Sequence, residues 1–91
     1  MALVHVEVVG RVQGVGFRWF IRERARELGV AGWVRNLSSG NVEIAAGGAD
    51  EAVASFLERV NAGPPGAQVT RLLHLKPQHL TDLPLPFTVL K

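Results

Sequence analysis

The sequence predicts an α+β domain in which an antiparallel sheet of four to five strands carries two helices on one face. Three observations carry this reading. Apolar residues alternate along Val4, Val6 and Val8 and again along Val42, Ile44 and Ala46, the period of a strand with one buried side. Two other segments repeat their apolar residues at helical spacing. Turn residues separate these segments in the order strand, helix, strand, strand, helix, strand, with a short strand to follow. Two amphipathic helices with one apolar face each must share one side of the sheet. At 91 residues and a formal charge of +2, the chain has the size of one domain, taken as residues 1–91.

The first strand carries His5 and Glu7 on the parity opposite to its valines, the expected solvent side. The first helix places Phe17, Ile21, Ala25 and Leu28 on one face with Phe20 beside them, and Gly29 is its expected stop. A second strand is expected over Ala31 to Leu37. The link Leu37-Ser38-Ser39-Gly40 reads as a hairpin turn with Gly40 in a left-handed conformation. Asp50 and Glu51 favour the positive end of a second helix, whose apolar face is Val53, Phe56, Leu57 and Val60. Gly63-Pro64-Pro65-Gly66 ends that helix. A fourth strand is expected over Val69 to Lys76 and a short one over Phe87 to Leu90. Pro77, Pro84 and Pro86 confine the intervening chain to a loop. The order βαββαβ is the ferredoxin-like arrangement, which by itself decides no function.

Composition removes several chemistries. There is no cysteine, so disulfides, thiolate nucleophiles and cysteine-held metals are excluded. His5, His74 and His79 show no metal-ligand spacing on a shared face, and no cofactor is expected. Ser38 and Ser39 lie in the hairpin and Ser55 in a helix, so no serine–histidine–acid set is recognisable. No apolar run approaches membrane-spanning length and no signal peptide precedes the first strand, so a cytoplasmic protein without a membrane partner is expected. Eight of the ten basic residues are arginine. Arg22, Arg24 and Arg26 are expected to be a solvated helix face laced with Glu23 and Glu27.

One segment points to chemistry. Gly10-Arg11-Val12-Gln13-Gly14-Val15-Gly16-Phe17-Arg18 runs from the first strand through a glycine turn into a helix that opens on an arginine. Unpaired backbone amides, a helix dipole and a guanidinium converge there, which makes a phosphate cradle. It is neither a nucleotide P-loop, since no Gly-Lys-Ser/Thr follows, nor the dinucleotide fingerprint, which has a third glycine. The cysteine of a tyrosine-phosphatase loop would stand at Val12, six residues before Arg18, and valine cannot attack phosphorus. Water must therefore attack. Without a general acid or a metal the cradle is poorly equipped for monoesters, which expel an alkoxide. It suffices for acyl phosphates, whose leaving carboxylate has a conjugate-acid pKa of about 4.

With Gly32-Trp33-Val34-Arg35-Asn36, this segment closely resembles the acylphosphatases, small enzymes that hydrolyse carboxylic–phosphoric anhydrides without a metal. The resemblance is strongest over residues 4–47 and weaker toward the C-terminus. It implies the ferredoxin-like fold and a catalytic pair, Arg18 and Asn36. Backbone amides of Gln13, Gly14, Val15, Gly16 and Phe17, together with Arg18, would hold the phosphoryl group. Asn36 would hold the attacking water. A free-standing enzyme is expected, rather than the similar domain that opens large carbamoyl-transfer maturation proteins.

The plain readings stand beside these. Singly, Arg18 could be a surface charge and Asn36 a bend residue. Glycines Gly10, Gly14 and Gly16 exceed what a simple strand-to-helix turn needs. Arg11 reads as a rim charge, Gln13 as backbone and local turn bonding, and Phe17 and Trp33 as packing. Trp19 either sits at the mouth of the site or covers the helix surface. The competing function is a non-catalytic anion-binding or regulatory module of the same fold. Nucleic acid is not an expected partner, because the aromatics fall mainly on helices rather than along strands where they could stack bases. The expected state is a monomer, with a homodimer through the apolar edge of the fourth strand as the alternative.

Overall fold

The computed structural model describes residues 1–14, 16–77 and 82–90. Seven elements follow one another: β1 (Ala2–Arg11), α1 (Phe17–Leu28), β2 (Ala31–Asn36), β3 (Val42–Gly48), α2 (Asp50–Ala62), β4 (Gln68–Leu75) and β5 (Thr88–Val89). They form one sheet in the order β4-β1-β3-β2-β5. Four strands pair antiparallel as expected, whereas β5 joins the far edge parallel to β2. Each helix crosses between two parallel strands that have a third between them, and both crossovers cover the same face.

The alternation in β1 and β3 sends Val6, Val8, Val42, Ile44 and Ala46 into the core beneath the helices. Phe17, Ile21 and Ala25 of α1 and Val53, Phe56 and Val60 of α2 close it, as the helical spacing requires. Phe87, just before β5, is fully buried with its ring 5.7 Å from that of Phe56. Gly29 ends α1 in a left-handed conformation with φ 71°, and its amide and that of Val30 bond back to the last turn. The hairpin between β2 and β3 is closed by Gly40 N–H donating to Leu37 O and Leu37 N–H to Asn41 O.

The opposite face of the sheet differs from a simple solvated surface. Glu43, at its centre, is 9 % exposed. His5 Nε2 lies 2.6 Å from one of its oxygens and Arg35 Nε donates to the other at 2.5 Å. Trp33 packs here rather than in the core, edge-on to His5 and under the Arg35 guanidinium. Burial opposes the charge on Glu43, but the His5 and Arg35 hydrogen bonds and the Arg35 charge outweigh it. Its carboxyl is held below the ordinary value.

Two expectations shift in detail. β4 runs one residue earlier than its sequence pattern predicts, and its weak alternation follows from its place at the edge, where little of either face is covered. Gly10 belongs to β1 and not to the turn. The register with β4 skips a residue between Val9 and Gly10, and a Cβ at Gly10 would overlap the Gln68 carbonyl. Gln78, His79, Leu80 and Thr81 of the proline-rich stretch lie outside the described residues. Among the described residues no helix is long and apolar enough to cross a membrane.

Candidate active site

A cleft of about 310 Å³ opens where β1 gives way to α1. Val12, Gln13, Gly14, Gly16, Phe17 and Arg18 line one wall. Asn36 at the end of β2 and Val89 in β5 form the other, and Trp19 and Arg22 of α1 also line the cleft. Residues from three separate parts of the sequence thus meet because the parallel strands β1, β2 and β5 all end on this side of the sheet.

The helix start explains the cradle. Gly16 caps α1 with φ 73°, and Gly14 has φ 79°, both in the region that a side chain disfavours. A Cβ at either position would point into open space, so the requirement is conformational and not one of crowding. The first intrahelical bond is Phe20 N–H to Gly16 O. The amides of Phe17, Arg18 and Trp19 therefore lack a helical acceptor. No acidic side chain occupies the first turn and no side chain caps it. Positive helix potential and amide donors are left to whatever anion enters.

Two side chains anchor this wall from behind. Gln13 Nε2 donates to the carbonyls of Leu37 at 2.8 Å and Asn41 at 2.9 Å. Its amide thus ties the loop to the hairpin that follows Asn36, a long-range role beyond the local bonding expected of it. Arg18 Nη1 donates to Leu90 O at 3.3 Å, so the end of the chain steadies the guanidinium. A guanidinium has five N–H donors, and most of those on Arg18 are left for an anion. Val15, expected among the amide donors, lies outside the described residues.

The arginines of α1 divide. Arg24 is bound through two 2.8 Å hydrogen bonds to Glu27, and Arg26 donates twice to Phe87 O. Arg26 is exposed as expected, but it also clamps the C-terminal segment. Arg22 pairs with Glu23 as expected but also borders the cleft. Its position four residues after Arg18 puts it on the same helix face, a signal present in the sequence. Val89 had no such signal, since only the long-range pairing of β5 brings it here. Arg11 is exposed and is not part of the cleft lining. Trp19, left open by the sequence, lines the cleft and is 58 % exposed. Among the described residues no three His, Asp or Glu side chains come together as a metal site, and the cleft lining contains none of these residue types.

Comparison with known proteins identifies the family. The acylphosphatase family model matches residues 4–82. A curated relative named acylphosphatase, from Rhizobium etli, is 43 % identical over 86 residues, spanning 94 % of this chain and 90 % of the relative. The crystal structure of an acylphosphatase from Bacillus subtilis superposes with a TM-score of 0.91 at 38 % identity, with all of both chains covered. The chain also aligns at 32 % identity and a TM-score of 0.77 with 12 % of a much longer protein, Thermococcus kodakarensis HypF. With the family model covering most of its length and a relative 43 % identical over nearly all of both chains, this chain belongs to the acylphosphatase family.

Proposed function

We propose that residues 1–91 act as one catalytic domain that hydrolyses acyl phosphates by direct attack of water, with Arg18 and Asn36 as its catalytic residues. The phosphoryl oxygens lie on the amides of the loop from Gln13 to Phe17 and on the free guanidinium nitrogens of Arg18. Asn36, across the cleft, holds a water in line with the anhydride bond. The water oxygen bonds to phosphorus as the bond from phosphorus to the acyl oxygen breaks, and the carboxylate leaves with the electron pair. The proton lost by water passes to a phosphoryl oxygen of the substrate, the base at hand in a cleft lined by no carboxylate or histidine. Negative charge gathers on the phosphoryl and leaving oxygens during transfer, and Arg18 with the helix amides offsets it there. No proton donor is needed, because a carboxylate is a good leaving group. The partner in this reading is the small-molecule substrate alone, and the site is cytoplasmic.

The observation that carries the proposal is the meeting of Arg18, Asn36 and the left-handed glycines Gly14 and Gly16 on one cleft. Benzoyl phosphate hydrolysis in excess EDTA tests it. The wild type is expected to turn over without metal, and Arg18→Ala and Asn36→Ala to lose about 100-fold or more in kcat/KM while circular dichroism shows them folded. A well-folded wild type without turnover would reduce the cleft to an anion-binding site of a regulatory module.

A further inference from the structure

The proposed reaction leaves part of the cleft lining without a role. Trp19 and Arg22 line the same cleft as Arg18, and the proposed reaction gives neither a part in holding phosphate or water. In-line attack places the leaving carboxylate on the side of phosphorus away from the Asn36-held water. An acyl group on that side can extend along α1, whose Trp19 and Arg22 also line the cleft. Helix rise puts Arg22 about 6 Å farther from the amide cradle than Arg18, on the same face.

Arg22 is held in a manner that leaves it able to bind. Its Nε donates to Glu23 Oε2 at 3.1 Å, and its side chain is 31 % exposed. That single bond uses one of five N–H donors and leaves both terminal nitrogens unengaged by it. Arg24 and Arg26, by contrast, are held by two hydrogen bonds each to Glu27 and Phe87. The half-buried setting strengthens a charge pair formed at Arg22 relative to one in open water.

We infer that Arg22 is a second anion subsite at the acyl end of the cleft, which selects acyl phosphates whose acyl group carries a carboxylate or phosphate of its own. The exposed indole of Trp19 forms the wall against which the intervening part of the acyl group lies. This inference rests on the acyl phosphate reading of the cleft.

A matched pair of substrates tests it: benzoyl phosphate and 4-carboxybenzoyl phosphate, whose rigid ring prevents the distal carboxylate from attacking its own anhydride. The quantity read is the ratio of their kcat/KM values, in which the electronic effect of the added carboxylate is common to every variant. The wild type is expected to favour the carboxylated substrate about fivefold at low ionic strength, the yield of a half-exposed ion pair, and to lose the preference in high salt. Arg22→Gln, at a helix position where glutamine is well tolerated, should bring the ratio to that seen in high salt. Arg22→Glu should drive it lower still, and Arg22→Lys should retain part of the preference. An equal ratio in wild type and Arg22→Gln overturns the subsite. So does an equal slowing of both substrates, which would put Arg22 on the phosphoryl group. A folded wild type that hydrolyses neither substrate overturns the acyl phosphate reading itself and the subsite with it.

Discussion

Gln13 shows how one side chain can join two halves of a site without touching substrate. Its amide donates to the carbonyls of Leu37 and Asn41, on the hairpin that begins one residue after Asn36. Both acceptors are half-buried backbone groups that water serves poorly. Gln13→Ala should lower stability by about 1–2 kcal/mol, the worth of two such bonds. It should also lower kcat/KM about tenfold, because the glycine loop and the end of β2 that carries Asn36 would no longer share a fixed spacing. Gln13→Glu removes the donors and sets a carboxylate against two carbonyl oxygens, so it should be worse than alanine on both counts. Chemical denaturation beside benzoyl phosphate kinetics checks the pair. Wild-type kcat with Gln13→Ala, or loss of activity only in proportion to unfolding, would remove the coupling role.

At the scale of elements, two glycines near the site stand for different physical demands. Gly10 sits where β4 approaches β1 too closely for a Cβ, whereas Gly16 has open space but a left-handed backbone. Gly10→Ala should therefore cost stability heavily, about 3 kcal/mol or more, since backbone must move. Gly16→Ala should cost about 1–2 kcal/mol, the strain of a side chain in that conformation. It should nonetheless abolish most activity, because relief of the strain turns the cradle amides away from the anion. Thermal melts and kinetics on the two variants separate these effects; similar melting temperatures would contradict the distinction. The sequence makes the glycine cluster visible but not this division, since crowding by Gln68 is a property of a strand pairing some sixty residues distant. Local patterns were legible for the same reason. Caps, alternation and helical period set α1, β1, β3 and α2, and a nine-residue motif set the cradle. The edge strand β4 had little face to bury and so left a weak pattern. Pairing of β5 parallel to β2, and with it Val89 at the cleft and Leu90 O on Arg18, had no local signal at all.

Across the whole molecule the site and the core share one side of the sheet, while the other side is held by charge. Glu43 on β3 accepts from Arg35 on β2 and bonds His5 on β1, so one carboxylate links the three strands that place the cradle and Asn36. Neighbouring Glu7 accepts from Asn41 Nδ2 at 2.6 Å and extends the tie to the hairpin. The folded state holds the Glu43 carboxyl below its ordinary value of 4.5, so folding favours the ionised form. The stability from this pairing is fully present above about pH 4.5, where the carboxyl is ionised in both folded and unfolded chains. It is lost as pH falls through the depressed folded value, where both forms are protonated. Glu43→Gln keeps the shape but removes the charge. It should lower stability near neutral pH by about 1–2 kcal/mol, between the worth of an exposed pair and a buried one. The gap to wild type should close as the solution is acidified below pH 4.5. Denaturant unfolding followed from neutral to acid pH measures that gap directly. A constant difference would mean that the glutamate acts through its shape alone, and a difference that grew in acid would reverse the assignment. Because the cleft lies on the helix side, kcat for benzoyl phosphate in the folded variant should stay within about twofold of wild type at neutral pH.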